Sequence, residues 1–268
     1  MVKKLTAAQV NEVCLRYFKG ESSKVLAQEM LVSSVAIRGL LKRRNIERRT
    51  PSESARIYQF NQSFFHIINN EEKAYWLGFL GANANIEDEG CISLKLGIQD
   101  LNHLQAFKDT ISSMHPLKLY ETKGNTYCSL SVYSKQTCAD LRKIGIVPRK
   151  TFVLQFPLEI IGSDLSRHFL RGYVDGDGGF YLTKTNRKSP NHLFSLTFNE
   201  IFLQQCQTFL CNNLGLNQTK IGRRNKDSPI GTLRYCGRKQ VKKIAEWLYN
   251  DASIYLARKR NKILSLLD

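Results

Sequence analysis

The chain has 268 residues, 42% hydrophobic and 24% charged, which supplies a packed core and excludes a mostly disordered chain. Its 40 Lys and Arg against 23 Asp and Glu give a formal charge of +17, and so imply a polyanionic partner, nucleic acid before an anionic membrane surface. Seven scattered cysteines without a Cys-x-x-Cys pair exclude a zinc ribbon and argue against a disulfide frame, and the longest apolar run, residues 75–82, is far too short to span a bilayer.

The chain opens with Lys3 and Lys4 and no apolar run behind them, so no secretory signal and an intracellular location are expected. Residues 1–50 predict three short helices. Thr6 caps the first, with Val10, Val13, Cys14 and Tyr17 on one face and Gly20 closing it. Ser22 or Ser23 opens the second, and Ser33 or Ser34 the third, which carries Val35, Ile37, Leu40 and Leu41. With Ala27, Val32, Ile37 and Leu40 at buried spacings, the segment resembles the helix-turn-helix domains of recombinases and regulators. Leu31 stands at the turn position usually held by glycine, so a left-handed turn there carries some strain. Arg38, Lys42, Arg43, Arg44, Arg48 and Arg49 collect on the third helix and its exit, where groove and phosphate contacts require charge. The candidate DNA-binding residues here are Ser33, Ser34, Arg38, Lys42 and Arg43.

Residues 50–54 (Thr-Pro-Ser-Glu-Ser) form a breaker cluster and an expected linker. Beyond it one pattern occurs twice. A helix at 72–83, strands within 86–97, a helix at 100–113, strands within 117–133 and a helix at 135–144 make the first copy. A helix at 164–177, strands at 180–184 and 193–198, a helix at 201–214, strands within 219–235 and helices from 238 make the second. A repeat of roughly ninety residues is too long for a solenoid unit and suggests a pseudo-dimer in one chain. The expected domains are 1–60, 64–157 and 158–268.

Each copy opens with a glycine-bearing helix: Trp76-Leu77-Gly78-Phe79-Leu80-Gly81-Ala82-Asn83-Ala84 in the first, Leu170-Arg171-Gly172-Tyr173-Val174-Asp175-Gly176-Asp177-Gly178 in the second. Glycine costs about 1 kcal/mol in a helix interior, so close helix packing is expected at these positions. Asp175 and Asp177 lie at a helix C-terminus, already electronegative, and call for a compensating cation; a hard divalent metal is the natural one. These motifs resemble those of the LAGLIDADG homing endonucleases over residues 70–268, as do Val147-Pro148-Arg149-Lys150 and Tyr255-Leu256-Ala257-Arg258-Lys259 downstream.

The resemblance implies an α+β fold: a pseudo-twofold duplicated αββαββα core with two antiparallel sheets forming a DNA saddle, beside the small all-α helix-turn-helix domain. It implies metal-dependent hydrolysis of double-stranded DNA at a long specific site by a monomer. The implied cofactor is Mg²⁺ or Mn²⁺, with Ca²⁺ as a non-catalytic substitute. The implied metal-binding positions are Asp177 and Asn83, with the backbone carbonyls of Gly176 and Ala82; Lys150 and Lys259 are implied near the reacting phosphates. Asn83 departs from the pattern, because an amide has the shape of a carboxylate but no charge, and impaired cleavage is expected from it. Ala84 also replaces the motif glycine.

Ile92, Leu94 and Leu96 alternate with Ser93 and Lys95, and Phe180 and Leu182 with Tyr181, Thr183 and Thr185, as in a half-solvated sheet. Ser93, Lys95, Tyr181, Thr183, Arg223, Arg224 and Arg234 are therefore assigned to the DNA side. The competing reading is a non-catalytic nucleic-acid binder on this scaffold, a transcription regulator or an intron maturase. An intein is not expected, since no Cys or Ser opens the chain and it ends Ser-Leu-Leu-Asp.

Overall fold

The computed structural model describes residues 5–18, 21–47, 58–183, 191–223 and 228–267. The expected closure at Gly20, the breaker cluster at 50–54, and Arg48, Arg49, Thr185 and Arg224 lie outside the described residues. The chain divides into two compact units, Met1–Gln59 and Phe60–Asp268.

In the first unit, Thr6 and Gln9 exchange side-chain-to-backbone hydrogen bonds of 3.0 and 3.3 Å, a reciprocal cap that starts α1 (Ala7–Phe18). Ser22 caps α2 (Ser23–Met30) by accepting from the Val25 amide, and Ser33 caps α3 (Ser34–Arg43) by accepting from the Ala36 amide. Leu31 adopts the left-handed conformation, φ 55°, that the sequence forces on a turn without glycine. Its amide still closes α2 on Ala27 and Gln28. Val13, Leu26, Ala27, Met30, Ile37, Leu40 and Leu41 form a core of their own.

In the second unit, Asn70 caps α4 (Glu71–Asn83), with Glu71 and Glu72 favouring its positive N-terminus. The chain then runs β1 (Ala84–Ile86), β2 (Cys91–Gly97), α5 (Leu101–Thr110), β3 (Lys118–Thr122), β4 (Asn125–Tyr133) and α6 (Lys135–Lys143). The second copy follows as α7 (Leu158–Asp177), β5 (Gly179–Thr183), β6 (Asn191–Asn199), α8 (Glu200–Leu214), β7 (Gly222–Arg223), β8 (Ile230–Cys236), α9 (Arg238–Tyr249) and α10 (Ala257–Leu267). The sheets have the same order, β1-β2-β4-β3 and β5-β6-β8-β7, antiparallel throughout. The architecture is thus a duplicated α+β core.

Alternation decides which face of each sheet is covered. Ile92, Leu94 and Leu96 are buried under the helices, as are Phe194, Leu196 and Phe198, while Lys95 is exposed and Ser93 half-buried. One sequence expectation needs correction. Leu182, read as inward-facing, is 44% exposed, because β5 outruns the helices that cover Phe180. The helix expected over 164–177 follows a break at Gly162, φ 77°, where glycine takes the left-handed backbone and separates it from a short helical stretch at the start of α7. Among the described residues no helix is long and apolar enough to cross a membrane.

Candidate functional site

The site is built where α4 and α7 end side by side. Their backbones touch at Gly78 and Gly172: a Cβ on Gly78 would lie 1.9 Å from the Phe169 carbonyl oxygen, and one on Gly172 would lie 2.0 Å from that of Tyr75. At the end of the pair a Cβ on Gly176 would fall 2.3 Å from the Ala82 Cβ and 2.5 Å from the Asn83 Nδ2. Asn83 and the residue before Asp177 are therefore in contact, as the paired motifs require.

Two lysines cap these helix ends. Lys259 Nζ donates to the carbonyls of Val174 (2.9 Å), Gly178 (2.8 Å) and Gly176 (3.4 Å), and Lys150 Nζ donates to the carbonyl of Ala84. Burial lowers both lysines' pKa values, that of Lys259 to about 8, against the pull of Asp175 and Asp177; Asp177 opposes the shift of Lys150. Burial likewise raises the Asp177 carboxyl, with Lys259 and then Lys150 opposing. Asp177 is exposed at its tip, and among the described residues no hydrogen bond reaches its carboxylate or the Asn83 amide.

Asp175 requires a correction. By sequence it stands beside Asp177 as a second carboxylate that calls for a cation. It is fully enclosed, accepting from Tyr75 Oη (2.7 Å), Tyr249 Oη (2.7 Å) and the Leu256 amide (2.7 Å). Burial raises its pKa despite these donors. The cation compensating the helix ends is in the first instance lysine ammonium. Its counterpart in α4 is Gly81, so this network exists on one side only.

Among the described residues no three of His, Cys, Asp and Glu gather into a metal-holding group. The donor set at the helix ends is one unclaimed carboxylate, one unclaimed amide and neighbouring carbonyl oxygens, all hard oxygen ligands that suit Mg²⁺ but carry one negative charge between them.

The anchoring of the lysines was missed in the sequence. Asp100, N-terminal to α5 in the first copy, holds Arg258 through two bonds of 2.6 and 2.8 Å, next to Lys259 of the second copy. Asn199, the N-cap of α8 in the second copy, donates to the carbonyls of Thr151 (3.0 Å) and Leu154 (2.9 Å), next to Lys150 of the first. Each copy thus fixes the other's lysine. The readable signal was a polar residue just before a helix at equivalent places in both repeats.

The sheet residues assigned to a partner divide by environment. Lys95 lies over the rings of Tyr120 (5.0 Å) and Tyr127 (4.6 Å), in a shallow depression of about 590 Å³ lined also by Ser93, Lys118, Ser129 and Ser131. Tyr181 is exposed beneath Lys262, whose Nζ is 5.1 Å from the ring centroid, and Arg234 is exposed opposite Ser195. Thr183 Oγ1 donates to the Asn191 carbonyl, and Arg223 pairs with Glu200, which removes part of its free charge. Ser33 in the first unit spends its hydroxyl on the α3 cap, whereas Ser34 and Arg38 are half-buried and Lys42 and Arg43 exposed.

Residues 164–248 match the family model described as LAGLIDADG-like domain. The meganuclease I-SmaMI bound to uncleavable DNA superposes with a TM-score of 0.51 at 13% identity, covering 72% of this chain and 89% of that one. The LAGLIDADG meganuclease I-AabMI bound to uncleaved DNA gives 0.50 at 12% identity, covering 75% and 91%. At such identities the likeness is one of fold. A curated relative, the replication factor C small subunit of Methanocaldococcus jannaschii, is 33% identical over 127 residues, 45% of this chain. The chain spans only 6% of the length of that relative. Residues 164–248 thus match a LAGLIDADG-like domain, and the duplicated fold is like that of these solved meganucleases.

Proposed function

We propose that this chain is a site-specific, double-stranded DNA endonuclease whose hydrolysis of phosphodiester bonds depends on a divalent metal, Mg²⁺ or Mn²⁺, and is impaired by Asn83. The observation that carries the reading is the pair of abutting helix ends, with Asn83 on one, Asp177 on the other and a half-buried lysine over each. Asp177 and Asn83 would hold the metal through side-chain oxygens, Ala82 and Gly176 through carbonyls. A bound divalent ion supplies charge stabilisation to the transferring phosphoryl group. Lys150 and Lys259 would neutralise phosphate charge and orient water from the helix ends. Ser93, Lys95, Tyr181, Thr183, Arg223, Arg224 and Arg234 would face the duplex on the two sheets. The three-helix unit would act as a second, helix-turn-helix reading head on a long site. The working form would be a monomer inside the cell.

The test is a cleavage and nicking assay in Mg²⁺ on a duplex the chain binds specifically. The parent should give little or no double-strand cleavage, and Asn83→Asp should raise it. Asp177→Asn in that background should abolish cutting and spare binding. A loss of several powers of ten is expected, since metal stabilisation is worth several kcal/mol and each 1.36 kcal/mol is tenfold. Because Asn83 leaves a single carboxylate, a binder without cleavage, acting as regulator or maturase, is the second reading. A specifically bound duplex that Asn83→Asp neither cuts nor nicks would decide for it.

A further inference from the structure

Gly39 sits in the middle of α3 for no reason internal to the three-helix unit. Its φ lies outside the left-handed region, so no turn demands glycine, and a Cβ there would meet only the Arg43 Nη1, at 3.8 Å. Glycine in a helix interior is unfavourable relative to alanine, and nothing in the unit repays it. Val35, Arg38, Gly39 and Lys42 share one face at i, i+3, i+4 and i+7, opposite the buried Ile37, Leu40 and Leu41. Val35, a β-branched apolar residue in the first turn, is 66% exposed at the N-terminal end of this face.

Charge on this face is left unneutralised. Glu12, Glu21 and Glu29 all gather on Arg16 across α1 and α2. Among the described residues none pairs with Arg38, Lys42, Arg43 or Arg44. A smooth, partly apolar strip flanked by free cations fits a polyanion approached closely at one point. The major groove admits a helix and displays the thymine methyl as its apolar mark.

We propose that α3 reads a thymine-containing step of duplex DNA in the major groove, with Gly39 the point of closest approach and Val35 the contact to the thymine methyl. This rests on the DNA-binding reading above and adds to it which residues set specificity. Arg38 and Lys42 then hold register on phosphates or neighbouring bases, and any side chain at position 39 lifts the helix off the groove floor.

The full chain should first be used to select a duplex from a random-sequence library. Each thymine of that duplex is then replaced singly by deoxyuracil, which removes only the methyl. One replacement should weaken binding by about fourfold, the worth of one buried methyl group, and Val35→Ser should be indifferent to that same replacement. Gly39→Ala should keep or raise the melting temperature yet weaken specific binding by about tenfold, one lost base contact, with affinity for random duplex unchanged. Wild-type affinity and thymine dependence in both variants would overturn the inference while leaving DNA binding intact. A lowered melting temperature in Gly39→Ala would also overturn it, by giving the glycine a structural reason. If the chain selects no duplex, the DNA-binding reading falls as well.

Discussion

A single missing methyl group holds the centre of the molecule together at Gly78 and Gly172. The atom each Cβ would strike is a backbone carbonyl of the other helix, which cannot rotate away. Gly78→Ala should therefore part α4 from α7 and cost about 3 kcal/mol, the upper end for an overpacked core, read as a lower urea midpoint. Gly81→Ala is the control: its Cβ would meet only side chains, the nearest at 3.4 Å, so that variant should be neutral or slightly stabilised. His103 makes a second residue-scale case. Tyr75 spends its hydroxyl proton on Asp175, so the His103 Nε2, 3.0 Å away, must be the donor in that contact. Burial lowers its pKa from 6.5 to about 4, with Asp100 opposing and Arg258 assisting. The unfolded chain thus takes up a proton between those values that the fold refuses. The resulting stability is full above pH 6.5 and lost as pH falls through 4, about 3 kcal/mol in all at 1.36 kcal/mol per unit. Urea midpoints should drop across that window in the parent, and less in His103→Gln, which keeps an N–H for Tyr75.

At the scale of elements, α10 is a short basic helix whose position is set almost entirely from outside. Asp175 takes the amide of Leu256 just before it, and Asp100 takes the guanidinium of Arg258 in its first turn. Lys259, next in sequence, is then carried onto the end of α7. Arg258 is half-exposed, so its pair contributes modestly to global stability, while its geometric effect on Lys259 is direct. Asp100→Asn should leave the fold intact with a loss of about 1 kcal/mol or less. It should also move the Lys259 ammonium resonance and its titration near pH 8, read by NMR. An unchanged Lys259 signal would show that Asp175 alone places the helix start. The same logic links Asn199 to the segment after Lys150, so neither lysine is positioned by its own repeat alone.

Across the whole molecule the cores are separate. The three-helix cluster and the cluster of the duplicated unit share no residue. Residues 60–268 alone should therefore fold cooperatively, seen as one calorimetric transition, while losing DNA affinity or footprint length. The charge of +17 predicts a steep salt response in DNA binding. Affinity should fall by about 10³–10⁵ between 50 and 200 mM salt for six to ten phosphate contacts. A flat response in a filter-binding or anisotropy titration would contradict a nucleic-acid partner.

The sequence alone determined the elements and the duplication, because side-chain period, caps and glycine spacing are local. It marked Gly78 and Gly172 as contacts, Ser22 or Ser23 and Ser33 or Ser34 as cap positions, Leu31 as a strained turn, and Ile92, Leu94 and Leu96 as the covered face of a strand. The resemblance to the LAGLIDADG motifs, not local spacing, paired Asn83 with Asp177. Only the tertiary structure decided what Asp175 does, since its three donors come from Tyr75, Tyr249 and Leu256, far apart in the chain. It also decided that lysine ammoniums cap the helix ends and that Asp100 and Asn199 act across repeats. A carboxylate at a helix end announces a need for positive charge. Which cation meets that need depends on long-range packing, which no local spacing encodes.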